Sequence, residues 1–103
     1  MSARKALEIG TLGGAAVLGR SDIGSLETGK CADFIAFNLR RLEFAGGIHD
    51  PVAATILCSN PKVDWNIVHG RVIVKEGQLV TVDVDSLVGK HNQAARRLIN
   101  PGL

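Results

Sequence analysis

Apolar residues recur along this chain with three different spacings, and each spacing predicts a different kind of element. Leu7, Leu12, Val17 and Leu18 fall near helical spacing behind Ser2, a residue suited to cap a helix. Gly10, Gly13 and Gly14 interrupt that stretch. A glycine inside a helix costs roughly 1 kcal/mol relative to alanine, so three of them predict close packing of the helix or an early end. From Phe34 to Phe37 the chain is apolar without alternation, the pattern of a strand covered on both faces and hence of a central strand in a layered sheet. The turn from Asp22 to Lys30 feeds it, with Gly24 and Gly29 supplying tight or left-handed backbone and Glu27, Thr28 and Lys30 keeping it wet. Further on, Val63, Trp65 and Ile67 alternate with Asp64 and Asn66, which predicts one dry and one wet face. The dipeptides His69-Gly70 and Glu76-Gly77 then turn the chain between Arg71 to Lys75 and Gln78 to Val82, completing a three-strand antiparallel meander.

Two more helices are legible from their ends. Asp50-Pro51 is an N-cap followed by a residue whose missing N–H needs no partner, and Val52, Ala53, Ala54, Ile56, Leu57 and Cys58 predict a short buried helix that Ser59, Asn60 and Pro61 stop. Asp83 or Asp85 caps a closing helix in which Val84, Leu87, Val88, His91, Ala94, Ala95 and Leu98 repeat at three and four. Arg96 and Arg97 sit in its last turn, where the helix dipole favours cations, and Asn100-Pro101-Gly102 ends it. Leu39 to Gly47, with Arg40, Arg41 and Glu43, reads as an exposed connection. The expected fold is α+β: helix, strand, short helix, meander, helix.

Composition narrows the function classes without choosing one. A chain of 103 residues, 46% hydrophobic and 21% charged, is one domain's worth of globular material. Its 12 basic and 10 acidic residues are interspersed and only 4% of residues are aromatic. A nucleic-acid surface wants a clustered basic face and stacking rings, so nucleic acid is not expected as a partner. No apolar run approaches the roughly 20 residues a bilayer requires, so no membrane partner is expected either. Cys31 and Cys58 have no C-x-x-C context and no signal peptide precedes them, which predicts two buried free thiols in a reducing cytoplasm.

The candidate chemistry is thin. His49, His69 and His91 invite a metal site, but they form no H-x-H pair and fall in three different elements. His49 is expected in a loop, His69 in a hairpin turn that tolerates left-handed backbone, and His91 as a packed imidazole on the helix stripe. Asp33, entering an apolar strand, is expected to close the Gly29-Lys30 loop as a hydrogen-bonded turn carboxylate. Asp64, Glu43 and Asp50 form no readable acid–base pair, and Ser25, Ser59 and Ser86 lack a nucleophile elbow. Gly10, Gly13 and Gly14 resemble a phosphate loop only superficially, since no strand precedes them and no G-K-[ST] follows. No catalytic, cofactor-binding or metal-ligating residue is assigned.

Three linked motifs nevertheless carry a family likeness. T-L-G-G-A-A-x-L-G from Thr11 to Gly19, I-G-S-L-E-x-G-K-x-A-D-F from Ile23 to Phe34, and G-R-V-I-V-x-x-G-Q-L-V from Gly70 to Val80 occur in order. Together they resemble the C-terminal end of metal-dependent amidohydrolases, in the cytosine-deaminase-like branch of guanine and oxoguanine deaminases and triazine hydrolases, over about Ala3 to Leu98. The resemblance implies that residues 1–20 are the last helix of a (β/α)8 barrel, 21–83 the C-terminal part of a composite β-sandwich, and 84–103 a terminal helix. It also implies a zinc- or iron-dependent parent in which water attacks a ring carbon of a nitrogen heterocycle, releasing an amine or a halide. The metal-binding motifs of that family lie upstream of the matched segment, so none of its metal or catalytic residues carries over.

With Met1 directly before the matching helix, the chain is expected to be a truncated frame or an excised piece. A stand-alone non-catalytic interaction module and a structural subunit of a split enzyme are the alternatives. A strand that wants cover on both faces, in so short a chain, further predicts a homo-oligomer formed through an open sheet edge or the first helix.

Overall fold

In the computed structural model, which describes residues 1–58 and 62–102, helices flank one four-stranded antiparallel sheet. Ser2 opens the first helix as expected, its hydroxyl accepting from the Lys5 amide at 3.1 Å. α1 (Ala3–Glu8) runs into a π-helical turn, Ile9–Gly13, and then into α2 (Gly14–Val17). The glycines therefore neither end the helix early nor mark close packing. They widen it by one turn, and a side chain at Gly10 or Gly14 would stand in open space. The end comes at Gly19, whose φ of 69° lets the amides of Gly19 and Arg20 return to the carbonyls of Ala16 and Ala15.

Close approach does occur, but from outside the helix. At Gly24, φ is 94°, and a Cβ there would lie 3.0 Å from the Ala15 Cβ and 3.0 Å from the Thr11 carbonyl oxygen. Ala15 is one of the few buried residues, so the loop after the helix is pressed onto it at the one position without a side chain.

The sheet runs β1 (Phe34–Ala36), β2 (Trp65–Val68), β3 (Arg71–Lys75), β4 (Gln78–Leu79) in that spatial order. Ile35 faces Asn66 across the first pair, and β2 to β4 form the expected meander, although β4 is only two residues long. A bulge interrupts the second pair: Asn66 faces Val74 but Ile67 faces Val72, leaving Ile73 as an extra residue on β3. That bulge breaks the alternation of β2. Val63, Trp65, Asn66 and Ile67 are all half-buried, and Lys75 extends over the Trp65 ring with its Nζ 6.0 Å from the centroid.

One strand expectation fails outright. β1 is an edge strand, not a central one, and Phe34 and Ile35 remain 40% and 53% exposed. Its only neighbour is β2, and no described element covers its faces, so an unbroken apolar run here marks a surface left open.

The segment read as an exposed connection is the other reversal. Leu42–Phe44 forms a 3₁₀ turn that buries Phe44 to 1% exposure, with its ring edge-on to Phe37 at 6.1 Å. α3 (Pro51–Leu57) follows, capped by the Asp50 carboxylate on the Ala53 amide at 3.2 Å, and packs against α1. Ala54 is buried in it, but Ile56 and Leu57 are exposed, so the helix is covered on one side only. The expected stop at Ser59, Asn60 and Pro61 lies outside the described residues. α4 (Val84–Ile99), capped by Asp83, closes the chain with no buried residue; His91 is exposed there rather than packed.

Ala15, Phe44 and Ala54 are the buried apolar residues among those described. The Cα radius of gyration is 18.0 Å, whereas a compact chain of this length has about 13 Å. The accessible surface is 8039 Å², about 2,400 Å² more than a compact protein of the same mass exposes.

Candidate functional site

Charged side chains gather at four places, and in each the geometry is that of a clamp. Asp33 does not close the Gly29-Lys30 loop. Its carboxylate accepts from the His69 amide at 2.6 Å, while the Gly70 amide donates to the Ala32 carbonyl at 3.0 Å. The A-D-F and H-G motifs are thus two halves of one junction, in which Asp33 holds the left-handed His69 (φ 51°) at the tip of the β2–β3 hairpin.

Asp64 is a hub that its neighbours in sequence do not reveal. Its carboxylate accepts from the Asn38 amide and from the Arg41 guanidinium, whose other nitrogen donates to the Lys62 carbonyl at 2.8 Å. Its backbone joins the Ala36 carbonyl at 3.0 Å and the Gly77 amide at 2.9 Å. The Asn38–Arg41 segment, the end of β1 and the β3–β4 turn are therefore all pinned at one half-buried residue. No contiguous motif marks this hub, since Arg41 and Asp64 lie 23 positions apart.

The organising turn carries the other two clamps. Lys30 Nζ lies 2.7 Å from the Ser25 hydroxyl and 2.9 Å from the Glu27 carboxylate, and the Ser25 hydroxyl donates to the same carboxylate. These contacts hold Glu27 below the usual carboxylate range, the Ser25 hydrogen bond first and Lys30 second. Arg20 makes a two-pronged contact with Asp22 at 2.8 and 2.7 Å, and the Cys31 thiol donates to Asp22 at 3.3 Å. The Arg20 hydrogen bond, followed by that from Cys31, brings Asp22 from its ordinary 3.8 down to about 2, and donating to that carboxylate pushes the Cys31 thiol up. Cys31 and Cys58 are free but half-buried, not fully enclosed.

Because the folded value of Asp22 is depressed, the contact contributes above pH 4 and is lost as pH falls through about 2. A carboxyl-carbon NMR titration is expected to place the Asp22 midpoint near 2, and Arg20→Met is expected to raise it toward the ordinary value, with the Cys31 hydrogen bond still holding it below. An unmoved midpoint in that variant would remove Arg20 as the cause.

The histidines do not converge. His49 lies in an exposed loop, His69 in the hairpin turn and His91 on α4, and among the described residues no group of three His, Cys, Asp or Glu side chains could hold a metal ion. A divalent ion does not fit these donors. Glu43 and Asp50 are not brought to Asp64 as a pair; the Ser25 hydroxyl donates to the Glu27 carboxylate and accepts from Lys30, and Ser86 offers its amide to Asp83. Ser59 is outside the described residues.

What the chain does present is open apolar surface. A groove of about 680 Å³ runs between α1 and the β1–β2 edge, walled by Leu7, Ile23, Leu26, Phe34, Ile35 and Ile67. Asp33 is the one carboxylate on its wall, and it is already engaged by His69. Such a groove can seat an apolar element, and its one hydroxyl contacting charged groups is that of Ser25, held by Glu27 and Lys30. No helix among the described residues is long and apolar enough to cross a membrane.

Comparison with known proteins agrees on one relationship. The pattern of the Amidohydrolase family matches residues 1–80. The chain is 43% identical over 94 residues to an 8-oxoguanine deaminase of Pseudomonas aeruginosa, covering 91% of this chain and 21% of that protein. It is 37% identical over 95 residues to hydroxydechloroatrazine ethylaminohydrolase of Pseudomonas sp. strain ADP, covering 90% and 20%. Among solved structures, an adenosine deaminase from Xanthomonas campestris with bound zinc superimposes with a TM-score of 0.83 at 32% identity, over 93% of this chain and 22% of that one. An atrazine chlorohydrolase from Arthrobacter aurescens complexed with zinc gives 0.81 at 32% identity, over 89% and 20%. The chain thus spans about a fifth of the length of the curated relatives it matches.

Proposed function

The chain belongs to the amidohydrolase family, and from that premise we propose that it is the C-terminal structural segment of a longer metal-dependent hydrolase. The parent reaction is hydrolysis at a carbon of a small nitrogen heterocycle, with loss of an amine or a halide. The relatives named for 8-oxoguanine, hydroxydechloroatrazine and atrazine support that substrate class. The zinc of the superimposable structures supports a divalent ion, zinc or iron, held by residues of the parent outside this segment. Residues 1–20 supply the last barrel helix, 21–83 the C-terminal part of the sandwich beside the barrel, and 84–103 the terminal helix.

The observation that carries this reading is the surface. About 2,400 Å² beyond that of a compact chain is roughly three times what one partner contributes to a standard interface. An edge strand with its phenylalanine and isoleucine bare, beside a groove between α1 and the sheet, is the shape of a piece built against more of its own polypeptide. The role of the segment is then to seat the barrel's last helix against the sheet. The Gly24–Ala15 contact and the Asp33 and Asp64 clamps hold those parts in register, and no chemical step is assigned to its residues.

Two measurements test this together. The chain alone is expected to release no ammonia from 8-oxoguanine or related heterocycles and to retain no stoichiometric metal after dialysis. Grafted in place of the matching fifth of the Pseudomonas aeruginosa deaminase, it is expected to preserve that enzyme's metal content and its turnover within about tenfold. An equivalent of zinc held by the chain alone, or a folded, metal-replete chimera without turnover, would overturn the assignment.

A further inference from the structure

We draw no further inference here: the strongest candidate, the apolar groove between α1 and the β1–β2 edge with the Ser25 hydroxyl on its wall, is an unpartnered face of a chain that spans about a fifth of its relatives, and nothing in the structure shows what covers it.

Discussion

Phe44→Ala is expected to cost the chain about 3–5 kcal/mol, the range for deleting a large aromatic side chain from a closed site. Among the described residues Phe44 is the one large side chain driven to near-complete burial, and its ring sits edge-on to that of Phe37. Because the whole core is so small, that loss approaches the 5–15 kcal/mol by which ordinary domains are stable. Urea unfolding followed by Trp65 fluorescence is expected to lose its cooperative transition in Phe44→Ala and to keep it, at a lower midpoint, in Phe44→Leu. An Ala variant within about 1 kcal/mol of wild type would mean that the 3₁₀ turn is not where the chain is held together.

Gly24→Ala is expected to cost about 3 kcal/mol, from two terms that a second glycine separates. The left-handed backbone penalises any L side chain, and the new methyl would meet the Thr11 carbonyl and the Ala15 Cβ at 3.0 Å and the Leu12 Cα at 3.2 Å. These are mostly backbone atoms of a helix, which cannot swing aside. Gly19 has a comparable φ of 69° but nothing within 4 Å of the added carbon, so Gly19→Ala carries only the backbone term, about 1 kcal/mol. Equal losses at the two positions, read from urea midpoints, would show that the loop is not pressed on the helix and that the Gly24 contact plays no part in seating it.

Two of the departures from the sequence expectation share a direction. Phe34 to Phe37 reads as a doubly covered strand because a continuous apolar run looks the same whether its cover lies in this chain or in a longer one. His91 reads as packed for the same reason: a heptad stripe reports that a helix is built to be covered, not that the covering element is present. Leu39 to Gly47 errs the other way. Its arginines and glycines suggest solvent, but Arg41 pairs with Asp64 and Phe44 is buried.

What the sequence determined by itself is whatever depends on residues within one turn of each other. The caps at Ser2, Asp50 and Asp83, the helix end at Gly19, and the hairpin turns at His69-Gly70 and Glu76-Gly77 all form as their local chemistry dictates. The family motifs were legible too, being contiguous strings. Only the tertiary structure decided that β1 pairs antiparallel with β2 at the sheet edge, that Asp33 serves His69 and Asp64 serves Arg41, and that Gly24 rather than the helix glycines makes the close approach. Each of those choices joins residues 9 to 36 positions apart. At that range several partners satisfy the same donors and acceptors, and the burial of Phe44 together with the register of the sheet selects among them.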